Sequence, residues 1–419
     1  MSLQQQDFLR DAMRRLGLTR DAFVSRIGVS RRALDTWLLP DESPESRKMP
    51  EIVQRFVSEI SAQSGSPVNT LPINGVEGNR RGLSDGAAHL LSVDQFSRES
   101  VEALLRVADI MQPIAHRQKF TRVLEGAVLA NLFFEASTRT RLSFSSAFSR
   151  LGGSVCDTTG FTFSSMAKGE SIRDTSRVIS GYADAIVVRH PEQGSVAEFA
   201  QAAVVPVING GDGVGEHPSQ ALLDLYTIQR EFARLNKTVD GAHIAFVGDL
   251  KYGRTVHSLG KLLGLYKHLK FTFVSPPSLE MPGHIVEALA MGGHDVEQTH
   301  DLKSGVKGAD VIYATRIQKE RFNVEETLEG YSADFQINQA LVNAQCAADT
   351  LIMHPLPRDS RSGANDLSTD LDQDPRLAIF RQTDNGIPVR MAIFATLLGV
   401  ENQIEQSMRD VAWGLRTAG

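Results

Sequence analysis

Two cysteines, Cys156 and Cys346, are all that the 419 residues contain, and they stand far apart, so neither a disulfide framework nor a paired-thiolate zinc site is expected. Long hydrophobic runs are missing as well, since nothing approaches the roughly 18 uninterrupted apolar residues of a membrane span. The opening stretch, MSLQQQDFLRDAMRR, mixes acid with base and lacks the basic-then-apolar layout of a secretory signal. These absences exclude a membrane partner and make the cytoplasm the expected compartment. Excess positive charge is absent too: a net charge of −6 argues against a chain that coats nucleic acid or an anionic surface, so any anion site has to be built locally. What remains is a globular composition, 42% hydrophobic against 22% charged, over a length that fits two or three domains of about 100 to 200 residues.

Residues 1–63 read as short helices. Gly17 ends the first, Thr19 caps a second over Arg20–Ile27, Gly28 makes a tight turn, and Ser30 caps a third that runs through Trp37. After Met49-Pro50, the residues Ile52, Val53, Phe56, Val57 and Ile60 share one helix face. The stretch TRDAFVSRIGVSRRALDTW resembles the helix-turn-helix of the phage-repressor type, with Ser30 to Trp37 in the recognition-helix position. Residues 64–86, dense in Gly, Pro, Asn and Ser, read as a linker.

Beyond a helix expected over Val93–Ile110, short apolar runs recur at Val128–Phe134, Ala185–Val188, Val204–Ile208, His243–Val247, Phe271–Val274, Val311–Ala314 and Leu351–Met353, separated by helix-length segments. Strands that alternate with helices imply parallel sheets. The expected fold class is α/β, with two parallel-sheet α/β domains over residues 87–230 and 231–385, a cleft between them, and a small all-α domain in front. A last helix near Met391–Gln403, within residues 386–419, is expected to return to the first α/β domain.

Chemistry concentrates in NLFFEASTRTRLSFSSAFSRLGG, residues 131–153. An apolar strand ends at Phe134, and a helix follows with Phe144, Ala147, Phe148 and Leu151 on its inner face and Gly152 closing it. Between them lie Ser137, Thr138, Arg139, Thr140 and Arg141. A strand-to-helix turn leaves backbone N–H groups and the positive end of the helix dipole pointing outward, and hydroxyls and guanidiniums add donors. Three hydroxyls and two arginines within five residues favour an anion site over a plain helix cap, a phosphate cradle without a Walker lysine.

That segment resembles the STRTR signature of the carbamoyltransferases, and SSMAKGES, VVRHP, GDGVGEHPSQALLDLYTI, VGDLKYGRTVHSL, TRIQKER and HPLPR resemble, in order from about His89 to about Glu401, the aspartate carbamoyltransferases. The resemblance implies transfer of the carbamoyl group of carbamoyl phosphate to L-aspartate in pyrimidine synthesis. Carried over by residue, it gives the phosphate to Ser137, Thr138, Arg139 and Thr140, and the carbonyl oxygen to Thr140, Arg189 and His217. The carbamoyl amide goes to Gln220 and the backbone carbonyls around Leu356 and Pro357, aspartate to Arg254, Arg316 and Gln318. Ser164 and Lys168 match loop residues that reach into the neighbouring subunit's site, Lys168 toward aspartate, which implies a homotrimer or a multiple of trimers. Taken alone, His217 before Pro218 is a turn histidine and each arginine a surface charge. No metal or redox cofactor is implied, because an acyl phosphate is already activated and needs positioning and charge stabilisation. A dihydroorotase or a regulatory chain is a further partner the resemblance leaves open.

Three rivals stand against this reading. Ornithine carbamoyltransferases usually carry a cysteine in the HPLPR position, where this chain has His354-Pro355, and a cationic substrate suits Arg316 less well. A nicotinamide dehydrogenase is excluded because VGDLKYGR lacks the G-x-G-x-x-G turn. The third is a DNA-binding regulator in residues 1–60, where ten basic side chains against nine acidic leave one net positive charge. That footprint is weak for DNA and favours assembly or partner docking. After HPLPR the chain reads DSRSGANDLSTDLDQDP, longer and more polar than the family's usual connection.

Overall fold

The seven apolar runs all become strands of two parallel sheets, five as inner strands and two, Val207–Asp212 and Leu351–Met353, at edges. The computed structural model describes residues 88–160, 169–316, 335–358 and 366–414, and of the first 87 residues 5–16, 20, 23–24, 31–39, 47–49, 53 and 57. The chain divides into two compact units, Met1–Glu77 and Gly78–Gly419.

In the larger unit the strands are β1 (Lys119–Phe120), β2 (Val128–Phe133), β3 (Ser154–Thr159), β4 (Ala185–His190), β5 (Val207–Asp212), β6 (His243–Gly248), β7 (Lys270–Val274), β8 (Asp295–Thr299), β9 (Val311–Thr315), β10 (Leu351–Met353) and β11 (Arg409–Asp410). One sheet has the order β3-β2-β4-β5 and the other β10-β9-β6-β7-β8, with parallel neighbours throughout. β1 and β11 form a separate antiparallel pair. Parallel neighbours need crossovers, and the crossover helices cover both sheet faces, so β4 and β9 are buried at every position and read as unbroken apolar runs. The edge strands β3 and β8 have the sequences SVCDTT and DVEQT, largely exposed, and no apolar run announces them.

Three boundaries differ from the sequence expectation. β5 begins at Val207, not Val204, because Pro206 has no N–H to give the ladder and only its carbonyl joins, accepting from Ile186 N at 2.8 Å; Val204 stays exposed. The helix expected over Val93–Ile110 is two elements, a 3-10 turn Val93–Gln95 closed by Ser92 and Gln95, and a helix Arg98–Ala115 capped by Ser97, with Phe96 extended between them. The last long helix is Gly386–Leu397, ended by Gly399 at φ 68°, and Glu401–Gln403 is a separate 3-10 turn.

This last helix is buried nearly all round and packs on the helix that follows β2. Phe394 meets the rings of Phe144 and Phe148 edge-on at 5.9 and 4.9 Å. Arg390 donates to Ser143 Oγ at 3.0 Å. Truncating so enclosed a phenylalanine costs about 3–5 kcal/mol, so the anion-turn helix is anchored to the chain's C-terminal part.

In the smaller unit, the helix Gln5–Leu16 places Leu9, Ala12 and Met13 against Leu34 and Trp37 of the helix Arg31–Trp37, with Phe23, Val24, Met49 and Val57 in the same core. Gln5 fixes the turn beyond the second helix: Nε2 donates to the carbonyls of Trp37 and Arg47 at 3.1 and 3.0 Å, and Oε1 accepts from Met49 N at 2.7 Å. The expected turn at Gly28, most of the Arg20–Ile27 and Ile52–Ile60 segments, and the linker 64–86 lie outside the described residues. Among the described residues, no helix is long and apolar enough to cross a membrane.

Candidate active site

In an open parallel sheet the chain leaves each strand at its carboxyl end, where loops and helix N-termini collect. Ser137–Thr140 follow β2, Arg189 lies near the end of β4, and His217 and Gln220 follow β5. Arg254 follows β6, Arg316 follows β9, and Leu356 and Pro357 follow β10. Ser164, Lys168 and Gln318, and the loop residues 359–365, lie outside the described residues.

The turn after β2 leaves its hydrogen-bond donors uncovered. Ser137 is the N-cap of the helix Thr138–Arg150, yet its side chain makes no capping hydrogen bond, so the first-turn N–H groups are not covered by their own cap. Asn131 on β2 holds the helix in place, donating Nδ2 to Arg141 O at 3.2 Å and Ser145 Oγ at 3.0 Å. The two arginines of the turn separate: Arg141 turns to Asp157 of β3 at 3.0 Å, whereas Arg139 is repelled by the charge of Arg316. Desolvation first, and the charge of Arg316 second, hold the Arg139 guanidinium below its ordinary pKa, so groups from both sheets act on one space.

Beside this turn, two buried arginines share one carboxylate. Arg189 donates Nη1 to Gly210 O at 3.2 Å and pairs through Nη2 with Glu135 Oε2 at 2.8 Å. Arg254, the first residue of the helix Arg254–Leu263, donates Nη1 to Gly213 O and Nη2 to the same Glu135 oxygen at 3.3 Å. This close approach needs a glycine: a Cβ on Gly211, at φ 128°, would lie 2.7 Å from Arg189 Nη1 and 3.3 Å from Arg254 Cζ. Sequence reasoning passed over Glu135, which nothing in the chain marks until the fold brings Arg189 and Arg254 to it.

His217 is buried at the N-cap of the helix Pro218–Arg234, its backbone N–H donating to Ser258 Oγ at 3.3 Å. Burial, then the charges of Arg254, Arg189 and Arg390, push its pKa well below the usual histidine value. The imidazole therefore stays neutral at physiological pH and can donate an N–H to an oxygen without adding a cation to a site already rich in them.

Gln220, one turn into that helix, donates Nε2 to Asp224 Oδ1 at 2.9 Å. Across from it, the HPLPR segment leaves β10 with Leu356 at φ 56° and a cis Leu356–Pro357 bond. His354 Nδ1 accepts from Leu356 N at 2.8 Å and its Nε2 meets Asp366 Oδ2 at 2.9 Å, while Arg358 pairs with Asp372 at 2.6 Å. The arrangement offers hydroxyls, N–H groups and guanidiniums for a phosphate, a neutral donor for a carbonyl oxygen, and acceptors for an amide.

Residues 88–230 match the model of the aspartate/ornithine carbamoyltransferase carbamoyl-P binding domain and residues 240–397 that of the Asp/Orn binding domain. An aspartate carbamoyltransferase catalytic subunit of Dichelobacter nodosus is 62% identical over 317 residues, 76% of this chain and 91% of the relative. The multifunctional protein pyr1-3 of Dictyostelium discoideum is 45% identical over 311 residues, 74% of this chain but 13% of that protein. Crystal structures of aspartate transcarbamoylase from Trypanosoma cruzi, with carbamoyl aspartate and phosphate or with N-(phosphonacetyl)-L-aspartic acid, align over 77% of this chain and 99% of theirs at 39% identity and a TM-score of 0.67. Residues 1–87 lie outside both matched domains.

Proposed function

Because the chain belongs to the aspartate/ornithine carbamoyltransferase family, we propose that the cleft at the carboxyl ends of its two sheets is the active site and that each group works there as follows. The reaction is transfer of the carbamoyl group of carbamoyl phosphate to the amino group of L-aspartate, giving N-carbamoyl-L-aspartate and phosphate in pyrimidine biosynthesis. The observation that carries the site assignment is the pair Arg189 and Arg254, drawn from the two different sheets, on the single carboxylate of Glu135 beside a neutral His217.

In this reading Ser137, Thr138, Arg139 and Thr140 hold the phosphate through hydroxyls, helix-start N–H groups and the one turn arginine not paired to Asp157. Thr140, Arg189 and His217 converge on the carbonyl oxygen. Gln220 and the carbonyls near Leu356 and Pro357 accept from the amide nitrogen. Arg254 takes the α-carboxylate of aspartate, and Arg316 with Gln318 its side-chain carboxylate, bidentate arginine being the geometry that suits a carboxylate. The amine then attacks the carbonyl carbon. As the C–N bond forms, negative charge on the carbonyl oxygen is met by Arg189, Thr140 and the His217 N–H. The C–O bond to phosphate breaks, and the departing phosphate takes the proton from the amine. No step requires a metal or redox cofactor.

The division into carbamoyl phosphate-binding residues 87–230, aspartate-binding residues 231–385 and a returning C-terminal part 386–419 follows from these roles. Ser164 and Lys168 are assigned to the site of a neighbouring copy, so the working unit is a trimer or a multiple of trimers in the cytoplasm. Residues 1–63, on their linker 64–86, serve assembly or docking of a partner such as a regulatory chain or a dihydroorotase rather than DNA binding. Competitive titration tests the site: N-(phosphonacetyl)-L-aspartic acid is expected to displace carbamoyl phosphate and to lose affinity in both Arg139→Ala and Arg316→Ala. Undiminished affinity in either variant places that anion grip elsewhere.

A further inference from the structure

Asp224 is a buried carboxylate with no cation in hydrogen-bonding contact among the described residues. Its three partners are neutral donors on three different elements: Gln220 Nε2 at 2.9 Å and Gln382 Nε2 at 2.6 Å on Oδ1, and Tyr313 Oη at 2.6 Å on Oδ2. Burial pushes the carboxyl up to about 7, against the pull of Tyr313, Gln382, Gln220 and the charge of Arg390. Burying such a group is costly unless every partner is supplied, and a fully supplied network rigidifies what it touches. Two of the three partners lead to the carbamoyl-amide grips.

Asp224 Oδ1 accepts whether the group is ionised or carries its proton on Oδ2 beside Tyr313, so the amide nitrogen of Gln220 faces it, and Gln220 Oε1 is left turned away as an acceptor. The same logic fixes Gln382, whose Nε2 faces Asp224 and whose Oε1 accepts from His354 N at 3.0 Å. His354 in turn accepts from Leu356 N through Nδ1 at 2.8 Å, which places its proton on Nε2 toward Asp366. One unbroken chain of hydrogen bonds thus runs from Gln220 through Asp224, Gln382 and His354 to Leu356.

We infer that Asp224 and Gln382 are positioning residues that align both amide grips, the Gln220 oxygen on one side and the carbonyls at Leu356 and Pro357 on the other, and so determine selection of an NH2 over a CH3 on the acyl phosphate. The inference rests on the assignment of those grips to the carbamoyl amide. An NH2 donates to every acceptor held at the right place, whereas a methyl group donates to none and leaves them unpaired, the situation in which a polar site discriminates most strongly.

The test measures inhibition or dissociation constants of the full-length protein for carbamoyl phosphate, acetyl phosphate and inorganic phosphate. In Asp224→Ala, carbamoyl phosphate is expected to weaken by about 10- to 100-fold while acetyl phosphate and inorganic phosphate stay within about twofold. Asp224→Asn keeps an oxygen for the two glutamines and can donate its nitrogen to Tyr313 Oη, so it is expected to recover most of the preference. Should Asp224→Ala fail to fold, Gln382→Ala frees His354 N and is expected to lower the carbamoyl-to-acetyl preference by about 3- to 10-fold. Equal losses for all three ligands, or an unchanged preference, would overturn the inference. Gln220→Ala separates the two levels: if it too leaves the preference unchanged, the grip assignment itself is wrong, and if it abolishes the preference while Asp224→Ala and Gln382→Ala do not, only the positioning role fails.

Discussion

Replacing Glu135 with glutamine removes a charge from between two arginines without changing the shape of the side chain. The carboxylate oxygen lies 2.8 Å from Arg189 and 3.3 Å from Arg254; the arginine side chains are 10% and 8% exposed and Glu135 27%. Breaking a fully buried pair by removing one partner costs about 3–5 kcal/mol, and an exposed pair contributes about 0–1. Glu135 lies between those limits. Its amide counterpart keeps one acceptor oxygen, and bound substrate anions relieve part of the uncompensated charge, so the loss of transition-state stabilisation is about 1.5–2.5 kcal/mol, or about 10- to 70-fold in kcat/KM for aspartate. Phosphate release at saturating carbamoyl phosphate and varied aspartate reads this directly, with thermal unfolding as a check on the fold. A kcat/KM within twofold of the parent chain, at an unchanged unfolding midpoint, would show that the shared carboxylate does not align the arginines.

Arg316→Ala is expected to raise the aspartate KM and lower turnover while carbamoyl phosphate binding changes little, because the two ligands are gripped mainly from different sheets; calorimetry showing equal losses for both contradicts this division. Mixing Lys168→Ala chains with Arg139→Ala chains, each inactive alone, is expected to restore part of the activity, since a mixed trimer holds some sites with both groups intact. No recovery after demonstrated subunit exchange removes Lys168 from the neighbour's site. Deleting residues 1–80 is expected to leave an active enzyme with a smaller or less stable assembly by light scattering; sequence-specific DNA binding by the intact chain, with assembly size unaffected by the deletion, contradicts the docking role.

The inner strands were legible in the sequence because burial on both faces leaves an unbroken apolar run, as in β4 and β9, and the turn after β2 because its donors are contiguous along the chain. β3 and β8 were not, since these two edge strands meet water and carry residues a loop could carry, unlike the buried edge strands β5 and β10. β5 was misplaced at its start by three residues because Val204 and Val205 continue an apolar run that Pro206 breaks only in the hydrogen-bond ladder. Glu135, Asp224 and Gln382 escaped for a different reason: a polar side chain in a turn or within a helix declares nothing until its partners, which lie from 54 to 158 residues away for Glu135 with Arg189 and Asp224 with Gln382, are brought to it by the fold.

The central claim is the identity of the acceptor. Carbon-13-labelled carbamoyl phosphate, incubated in chelator with the purified full-length chain and either L-aspartate or L-ornithine, identifies it through the labelled product in NMR and mass spectra. The expected result is N-carbamoyl-L-aspartate in step with phosphate release and no carbamoylated ornithine. Carbamoylation of ornithine, with aspartate left unreacted, would contradict the account.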